Sequence, residues 1–153
     1  MFPAEEYREI LDRFHLLMNE TGKIASVRLS GDKWTLKEMI GHLIDSASNN
    51  HQRFIRLQTE KTLHFPAYAA QIWVDASAVD SFDCTGLISL WRSYNLYLLH
   101  IIENIPDESL DHVWEIDGRT ITLKELIEDY FRHILIHEKL YRERADEIRA
   151  SRG

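Results

Sequence analysis

Four long stretches of the chain repeat apolar residues at helical spacing, and this pattern most restricts the fold. The stretches run over about residues 4–19, 36–60, 85–104 and 123–149. In each of them apolar residues recur every three or four positions, which predicts one buried face per helix. Four amphipathic helices in a chain of 153 residues predict an all-α four-helix bundle that forms a single domain over residues 1–153.

Short local signals predict where the helices begin and end. Thr35 with Glu38, and Thr122 with Glu125, have the spacing of a capping box, in which each side chain bonds the other residue's backbone N–H. These pairs predict the starts of the second and fourth helices. Pro106 predicts that the third helix ends just before it, since proline disfavours a helical conformation in the preceding residue.

The connections between the helices differ in length and composition. Residues 61–84 form a link too long for a simple helical hairpin, so we expect it to cross the bundle. Within this link, residues 69–76 are predicted to form a short helix with Trp73 packed inward. Before the last helix, Asp117 and Gly118 separate two β-prone runs, which predicts a two-stranded β-hairpin with a type I′ turn.

Composition and charge exclude several classes of protein. A formal net charge of −7 disfavours a nucleic-acid partner, which requires a basic face. No apolar run approaches the roughly 20 residues that cross a membrane. A single cysteine, Cys84, cannot form an internal disulfide. We therefore expect a cytoplasmic protein with no nucleic-acid or membrane partner, and we interpret Cys84 as structural.

Two of the eight histidines have the spacing of metal ligands within one helix. His133 and His137 are four residues apart, which rotates the side chain by about 40° and advances it by about 6 Å. Two imidazoles on one helical face can bind one divalent metal, although two partly buried histidines with ordinary hydrogen bonds would show the same spacing. A catalytic metal site would need a third protein ligand from another helix.

His42 is the leading candidate for that third ligand. Gly41 beside it would permit close approach of a neighbouring helix, and Asp45 and Asn49 share its face. However, His42 points about 140° away from the centre of the apolar stripe of its helix. A solvated surface histidine would give the same pattern. Alternatively, this polar stripe lines a ligand cleft, while the apolar stripe partly serves a dimer interface.

The remaining histidines have no partner at ligand spacing. His51 lies on the apolar stripe of the second helix and points away from His42, so we interpret it as a core or interface residue. Four others are interpreted as loop or surface histidines: His15, His64, His100 and His112.

Two parts of the sequence carry a family resemblance. The first covers 34–38, 41–46 and 53–54, and the second covers 129–133 and His137. Together they resemble the DinB/YfiT-like superfamily. The resemblance extends over most of the chain and implies a four-helix bundle of up-down-down-up topology. It also implies a metal triad at the positions of His42, His133 and His137. Many members carry further histidines beside the last pair, whereas this chain has none at 134–136 or 138, so a histidine proton relay is not expected.

The resemblance also suggests a range of chemistry. Characterised relatives include thiol-dependent transferases, such as bacillithiol transferases, and mycothiol-dependent maleylpyruvate isomerases. Three neutral imidazoles would leave the metal an open position for a water or a thiolate. By ligand type the metal would be zinc or nickel, and if a thiolate takes the open position, a low-molecular-weight thiol would be the cosubstrate. Asp45 and Asp129 could accept hydrogen bonds from the ring N–H groups, or could simply be solvent-facing carboxylates.

Three hypotheses follow for the function. The first is a metal-dependent enzyme, a thiol S-transferase or a hydrolase, that acts on a small-molecule substrate. The second is a noncatalytic helical dimer that binds a metal or a small molecule. The third is a structural dimer without a metal. A homodimer is expected because the second helix carries apolar residues around much of one side.

Overall fold

The computed structural model of the protein describes residues 2–153. Short 3-10 turns at Gly22–Ile24, Val79–Ser81 and Asp107–Ser109 accompany five α-helices and three β-strands. The helices are α1 (Ala4–Glu20), α2 (Leu36–Thr59), α3 (Ala70–Ser77), α4 (Cys84–Glu103) and α5 (Leu123–Arg152). The strands are β1 (Thr62–His64), β2 (Val113–Ile116) and β3 (Arg119–Thr122). The four long helices are those that the periodicity predicts.

Both predicted capping boxes are confirmed. The Thr35 hydroxyl accepts from the backbone N–H of Glu38 at 3.0 Å, and the Glu38 carboxylate accepts from the backbone N–H of Thr35 at 3.2 Å. Thr122 and Glu125 exchange the same two bonds at 3.1 and 2.8 Å. These reciprocal bonds satisfy N–H groups that the first turn of a helix leaves free. The capping boxes therefore define the starts of the two helices that carry the candidate ligands.

The long helices pack in the cyclic order α1, α4, α2, α5. Tyr7 near the start of α1 stacks on Phe131 at 3.6 Å between ring centroids, and Thr21 after α1 bonds Tyr141 further along α5, so α1 and α5 run in the same direction. α2 and α4 both end at the β-sheet, where α5 begins, and they therefore run in the opposite direction. This arrangement confirms the up-down-down-up topology.

The small sheet differs from the predicted hairpin. Asp117 and Gly118 have φ values of 50° and 74°, as the predicted type I′ turn requires, and β2 and β3 pair antiparallel. However, β1 adds a third strand, parallel to β2, with Leu63 opposite Trp114. The prediction of two strands was incomplete because three residues are too few to show the alternation by which a strand is recognised.

The crossover between α2 and α4 contains the predicted short helix, α3, which packs against α2. The prediction that Trp73 packs inward is wrong, since Trp73 is 39% exposed and Val74 is the buried residue of this helix. An eight-residue helix on the outside of a bundle buries only a narrow stripe, and Val74 occupies it. Trp73 instead makes an edge contact with Tyr68, with ring centroids 5.4 Å apart.

Large aromatic side chains fill the centre of the bundle. Phe14 is fully buried, and its ring centroid lies 5.1 Å from that of Trp91 and 5.4 Å from that of Tyr141. Both contacts are edge-to-face, an arrangement that aromatic rings favour. Within residues 2–153, no helix has the length and apolar character needed to cross a membrane.

Candidate metal centre

Three histidines from two helices converge between α2 and α5. His42, His133 and His137 each offer a ring nitrogen, and these atoms all lie within 4.8 Å of one another. The ring centroids are 5.3 Å apart for His42 and His133, 4.7 Å for His42 and His137, and 4.3 Å for His133 and His137. The structure therefore brings together the three residues that the sequence singled out.

The surroundings of His42 explain why its helical periodicity was misleading. The residue is 6% exposed, although it lies off the apolar stripe of α2. This flank of α2 faces α5, and the Trp34 ring lies 5.1 Å from the His42 ring. A Cβ at Gly41 would lie 2.9 Å from a Val79 methyl carbon, so glycine permits a close approach as predicted, but of a 3-10 turn rather than a helix.

Burial and mutual repulsion keep the three rings neutral at pH 7. Burial, followed by repulsion from His133, lowers the pKa of His42 to about 4. Burial, followed by repulsion from the two other rings, lowers the pKa of His137 to about 4. Burial also lowers the pKa of His133. Neutral imidazoles have free lone pairs, which is the state that a metal requires.

Two of these imidazoles carry buried nitrogens without a hydrogen-bond partner. Within residues 2–153, neither Nδ1 of His42 nor Nδ1 of His137 has one. An unsatisfied buried polar atom is costly, and native proteins seldom retain it without a reason. Three nitrogen donors from His42, His133 and His137 match the donor set of a catalytic zinc site. The residues present therefore fit a divalent metal.

The two carboxylates that were predicted to support the ligands do not bond the rings. One Asp45 oxygen is buried without a partner among the described residues, and burial raises the pKa of Asp45 to about 6. Asn49 donates its side-chain N–H to the Asp45 backbone carbonyl at 2.9 Å. Asp129 is exposed and forms an ion pair with Arg132, three residues on. Among the described residues, Asp45 therefore keeps one unpaired oxygen, three residues after His42 on α2, whereas Asp129 is engaged at the surface.

The other histidines and Cys84 lie outside the cluster. His51 is half-buried rather than in the core, and its Nδ1 lies 2.8 Å from the Tyr94 hydroxyl. His64 and His100 are exposed, and His15 and His112 are partly so. Cys84 is half-buried, and burial raises the pKa of its thiol. The chain therefore offers no activated thiolate of its own in residues 2–153, which contain this single cysteine.

Sequence reasoning did not assign a role to several residues beside the cluster. Trp34 packs on His42, while Arg53 and Tyr68 lie further along the same flank of α2. Arg53 is 5% exposed, which is unusual for a charged side chain. It could have been noticed from its spacing, because eleven residues from His42 return to nearly the same helical face, offset by about 20°.

No protein-family model matches the chain, and no curated protein does. Among solved structures, the chain is similar to YfiT from Bacillus subtilis, described as a probable metal-dependent hydrolase with an unusual four-helix bundle topology. The TM-score is 0.80 at 16% identity, over 97% of this chain and 90% of that one. It is also similar to the mycothiol-dependent maleylpyruvate isomerase, with a TM-score of 0.65 at 15% identity, over 90% of this chain and 60% of that one. These likenesses show that the chain shares its four-helix-bundle fold with both structures.

Proposed function

We propose that the protein is a metal-dependent enzyme that binds one divalent ion through His42, His133 and His137. The observation that carries this proposal is the convergence of three neutral imidazoles, two of which bury a nitrogen without a hydrogen-bond partner. A structural histidine cluster would be expected to satisfy those atoms with protein groups. A metal ligated by three protein groups satisfies its ligands and keeps a position open for a reactant.

The chemistry of such a site is the activation of a small nucleophile. A divalent metal supplies a Lewis acid that lowers the pKa of a water or a thiol. His42, His133 and His137 would hold the ion, and the Trp34 ring, 5.1 Å from the His42 ring, packs against one of these ligands. Because burial raises the pKa of Cys84, a thiol nucleophile would come from outside the chain. Hydrolysis and thiol S-transfer are therefore the two reactions proposed, with zinc or nickel as the metal.

The descriptions of the similar structures support hydrolysis in one case and the use of an external thiol in the other. YfiT is described as a probable metal-dependent hydrolase, and the second structure as a mycothiol-dependent isomerase. These activities belong to those proteins, and at 16% and 15% identity they guide the choice of assay for this chain. Water and a low-molecular-weight thiol should accordingly be tested side by side as nucleophiles.

Metal content tests the proposal directly. Wild-type protein loaded with zinc or nickel and desalted should retain about one ion per chain by elemental analysis. His137→Ala should lose it, because two imidazoles remain. His100→Ala, which removes an exposed histidine, should retain it. Wild-type protein without metal, or a His137→Ala variant with full metal content, would contradict the proposal.

Turnover distinguishes an enzyme from a noncatalytic binder. Activated esters with water, and aromatic electrophiles with a panel of low-molecular-weight thiols, should be assayed with and without metal. We expect one of the two reactions to depend on the metal and to be lost in His137→Ala. Metal binding without turnover in either assay would favour the alternative, a noncatalytic metal-binding or small-molecule-binding bundle.

We also propose that the protein is a homodimer, as the apolar side of α2 predicts. In the proposed dimer, Ile55 of α2, which is 44% exposed, would lie in the interface. Light scattering at micromolar concentration tests it, and a monomeric mass would contradict it.

A further inference from the structure

Within the described residues 2–153, Arg53 is a buried cation without an anionic partner. Its side chain lies between α2, the segment after β1 and strand β2, and the residue is 5% exposed. Among residues 2–153, no carboxylate oxygen lies within 4.0 Å of its nitrogens. Its contacts with protein oxygens are a 3.5 Å bond to the Asn50 side chain and a 3.5 Å bond to the Pro66 carbonyl. Its Nε is buried and has no hydrogen-bond partner in the described part of the chain.

These contacts leave most of the guanidinium's capacity unused. The group has five N–H donors, and bonds of 3.5 Å lie beyond the usual 2.7–3.2 Å range of N–H···O bonds. The Arg53 guanidinium lies 4.0 Å from the centroid of the Trp114 ring, which stabilises the cation and fixes the plane of its fork. A buried charge is costly without a counter-charge. The guanidinium is therefore held in a fixed orientation, and several of its N–H groups are free to bond a ligand.

Arg56, about one helical turn further along α2, provides a comparison with Arg53. It is exposed, bonds Gln52 at 3.1 Å, and contacts the Phe65 ring at 5.5 Å. Water can solvate this guanidinium freely. Arg53 contacts the same Phe65 ring at 5.9 Å but has lost its hydration shell. The two arginines therefore share one local surface and differ in burial.

Arg53 lies on the same flank of α2 as the metal ligand His42. Eleven residues correspond to about 16 Å along the helix axis and an angular offset of about 20°. The side chains of this flank between them are polar and mostly buried, and Tyr68 lies close to several of them. They are Asp45, Ser46 and Asn49. A polar strip thus connects the candidate metal centre with the unpaired guanidinium.

We propose that Arg53 forms an oxyanion subsite, which takes the carboxylate or phosphate end of the molecule that reacts at the histidine cluster. The substrate or cosubstrate is accordingly an elongated organic anion, with its reactive group at His42 and its anionic end at Arg53. The guanidinium fork suits both oxyanions, since it can bond two of their oxygens at once. The binding of an oxyanion stands on Arg53 alone, while its link to the reaction rests on the proposed function.

The stacked tryptophan provides a direct readout of the subsite. Trp114 donates its indole N–H to the Phe65 carbonyl at 2.8 Å, so its NMR resonance should respond to an anion on Arg53. Inorganic phosphate and acetate should be titrated separately into metal-free protein at constant ionic strength in sodium chloride. We expect a saturable shift, and the tighter of the two anions identifies the chemical class. No saturable shift with either anion would overturn the subsite.

Matched variants locate the binding on Arg53. Arg53→Gln should abolish the shift, and Arg53→Lys, which keeps the charge without the fork, should weaken binding about tenfold. Arg56→Gln should leave the shift unchanged. If circular dichroism shows that Arg53→Gln does not fold, the affinity of Arg53→Lys becomes the test of the assignment. Wild-type affinity in Arg53→Lys, or loss of the shift in Arg56→Gln, would overturn the assignment.

Linear dicarboxylates of six to twelve carbons test the link to the histidine cluster. In zinc-loaded protein, one length should bind about tenfold more tightly than the monocarboxylate of equal length. Arg53→Gln and His137→Ala should each remove that advantage. If no length shows it, the bridging of the two sites is overturned. Failure to retain zinc would instead contradict the proposed function, and the phosphate and acetate titrations do not depend on it.

Discussion

The two sides of α5 bury polar side chains in opposite ways. Toward α1, Glu138 is 6% exposed, and its two carboxylate oxygens accept bonds from Arg13 at 2.7 Å each. Tyr141 on the same side pairs its hydroxyl with that of Thr21 at 2.7 Å. Toward α2, His137 buries an Nδ1 that has no hydrogen-bond partner among residues 2–153. Neighbouring residues of one helix thus differ in whether the fold satisfies them.

The presence or absence of a hydrogen-bond partner separates polar groups that support the fold from polar groups that bind a ligand. A satisfied buried group stabilises its surroundings, whereas an unsatisfied one costs stability until something binds it. The α1 side has an exception nearby, since the indole N–H of Trp91 is buried without a partner. The Trp91 indole is a single polar group among apolar side chains, whereas the rings of His42 and His137 converge with a third donor, the ring of His133. Convergence of such groups is therefore what indicates a binding site.

The largest effect is expected from the apolar part of the α1 side. Phe14→Ala removes a fully buried ring from its contacts with Trp91 and Tyr141. It should lower the free energy of unfolding by about 3–5 kcal/mol, measured by denaturant titration. Leu16→Ala, at an exposed position, should change it by less than about 0.5 kcal/mol. Metal content should not change in either variant. Metal loss in a folded Phe14→Ala would contradict the proposed separation between groups that support the fold and groups that bind a ligand.

A smaller loss is expected when the satisfied carboxylate is altered. Glu138→Gln should lower the free energy of unfolding by about 1.5–3 kcal/mol, because it weakens charge-assisted bonds to a buried group. Glu143→Gln, an exposed control, should have little effect. Metal binding at the adjacent His137 should persist. A Glu138→Gln variant as stable as wild type would show that the α1 side is not held by this pair.

The stability contribution of Glu138 should depend on pH with a definite sign. The hydrogen bond from Arg13 holds the pKa of Glu138 below its usual 4.5, although burial opposes this shift. Because the folded pKa is lower than the unfolded pKa, the stabilisation is complete above about pH 4.5 and is lost as pH falls through the folded value. The difference in unfolding free energy between wild type and Glu138→Gln should therefore shrink below pH 4.5. A difference that grows there would contradict the assignment.

The smallest effect, of opposite sign, is expected one residue earlier. His137→Leu in metal-free protein replaces an unsatisfied ring with an apolar side chain and should raise the free energy of unfolding by about 0.5–2 kcal/mol. Saturating zinc should reverse the order, because the metal binds and stabilises only the wild type. His100→Leu at the surface serves as the control and should give neither change. Destabilisation of metal-free protein by His137→Leu would show that the ring supports the fold.

The gain in unfolding free energy from His137→Leu should increase as the pH falls. Burial lowers the pKa of His137 to about 4, below the 6.5 of an exposed histidine. Between these values the unfolded wild-type chain binds more protons than the folded one, so wild-type stability falls as pH falls. Leucine does not titrate. Denaturant titrations at pH 7 and pH 5 should show a larger advantage for His137→Leu at pH 5, and an unchanged advantage would contradict the lowered pKa.

Much of the helical framework could be predicted from local pattern. The capping boxes at Thr35 and Thr122 and the turn at Asp117 depend on a few neighbouring residues, and all three are confirmed. Strand β1 and the orientation of Trp73 were not predicted correctly. A three-residue strand exists because β2 lies beside it, and Trp73 faces outward because Val74 takes the contact with the bundle. Both depend on a partner that is distant in sequence.

The three histidines of the cluster also differ in how far the sequence alone specifies their positions. The spacing of four residues places His133 and His137 on one face of any helix, so the chain alone specifies that pair. The third member, His42, lies off the apolar stripe, and periodicity argued for the surface. Only the packing of α2 against α5, with Trp34 on the ring and Gly41 against Val79, shows that it is buried. Arg53 shares this flank, and its unpaired state likewise becomes visible only in three dimensions. Periodicity reports the average polarity of a helical face, whereas the tertiary structure determines which groups meet there and which remain without a partner.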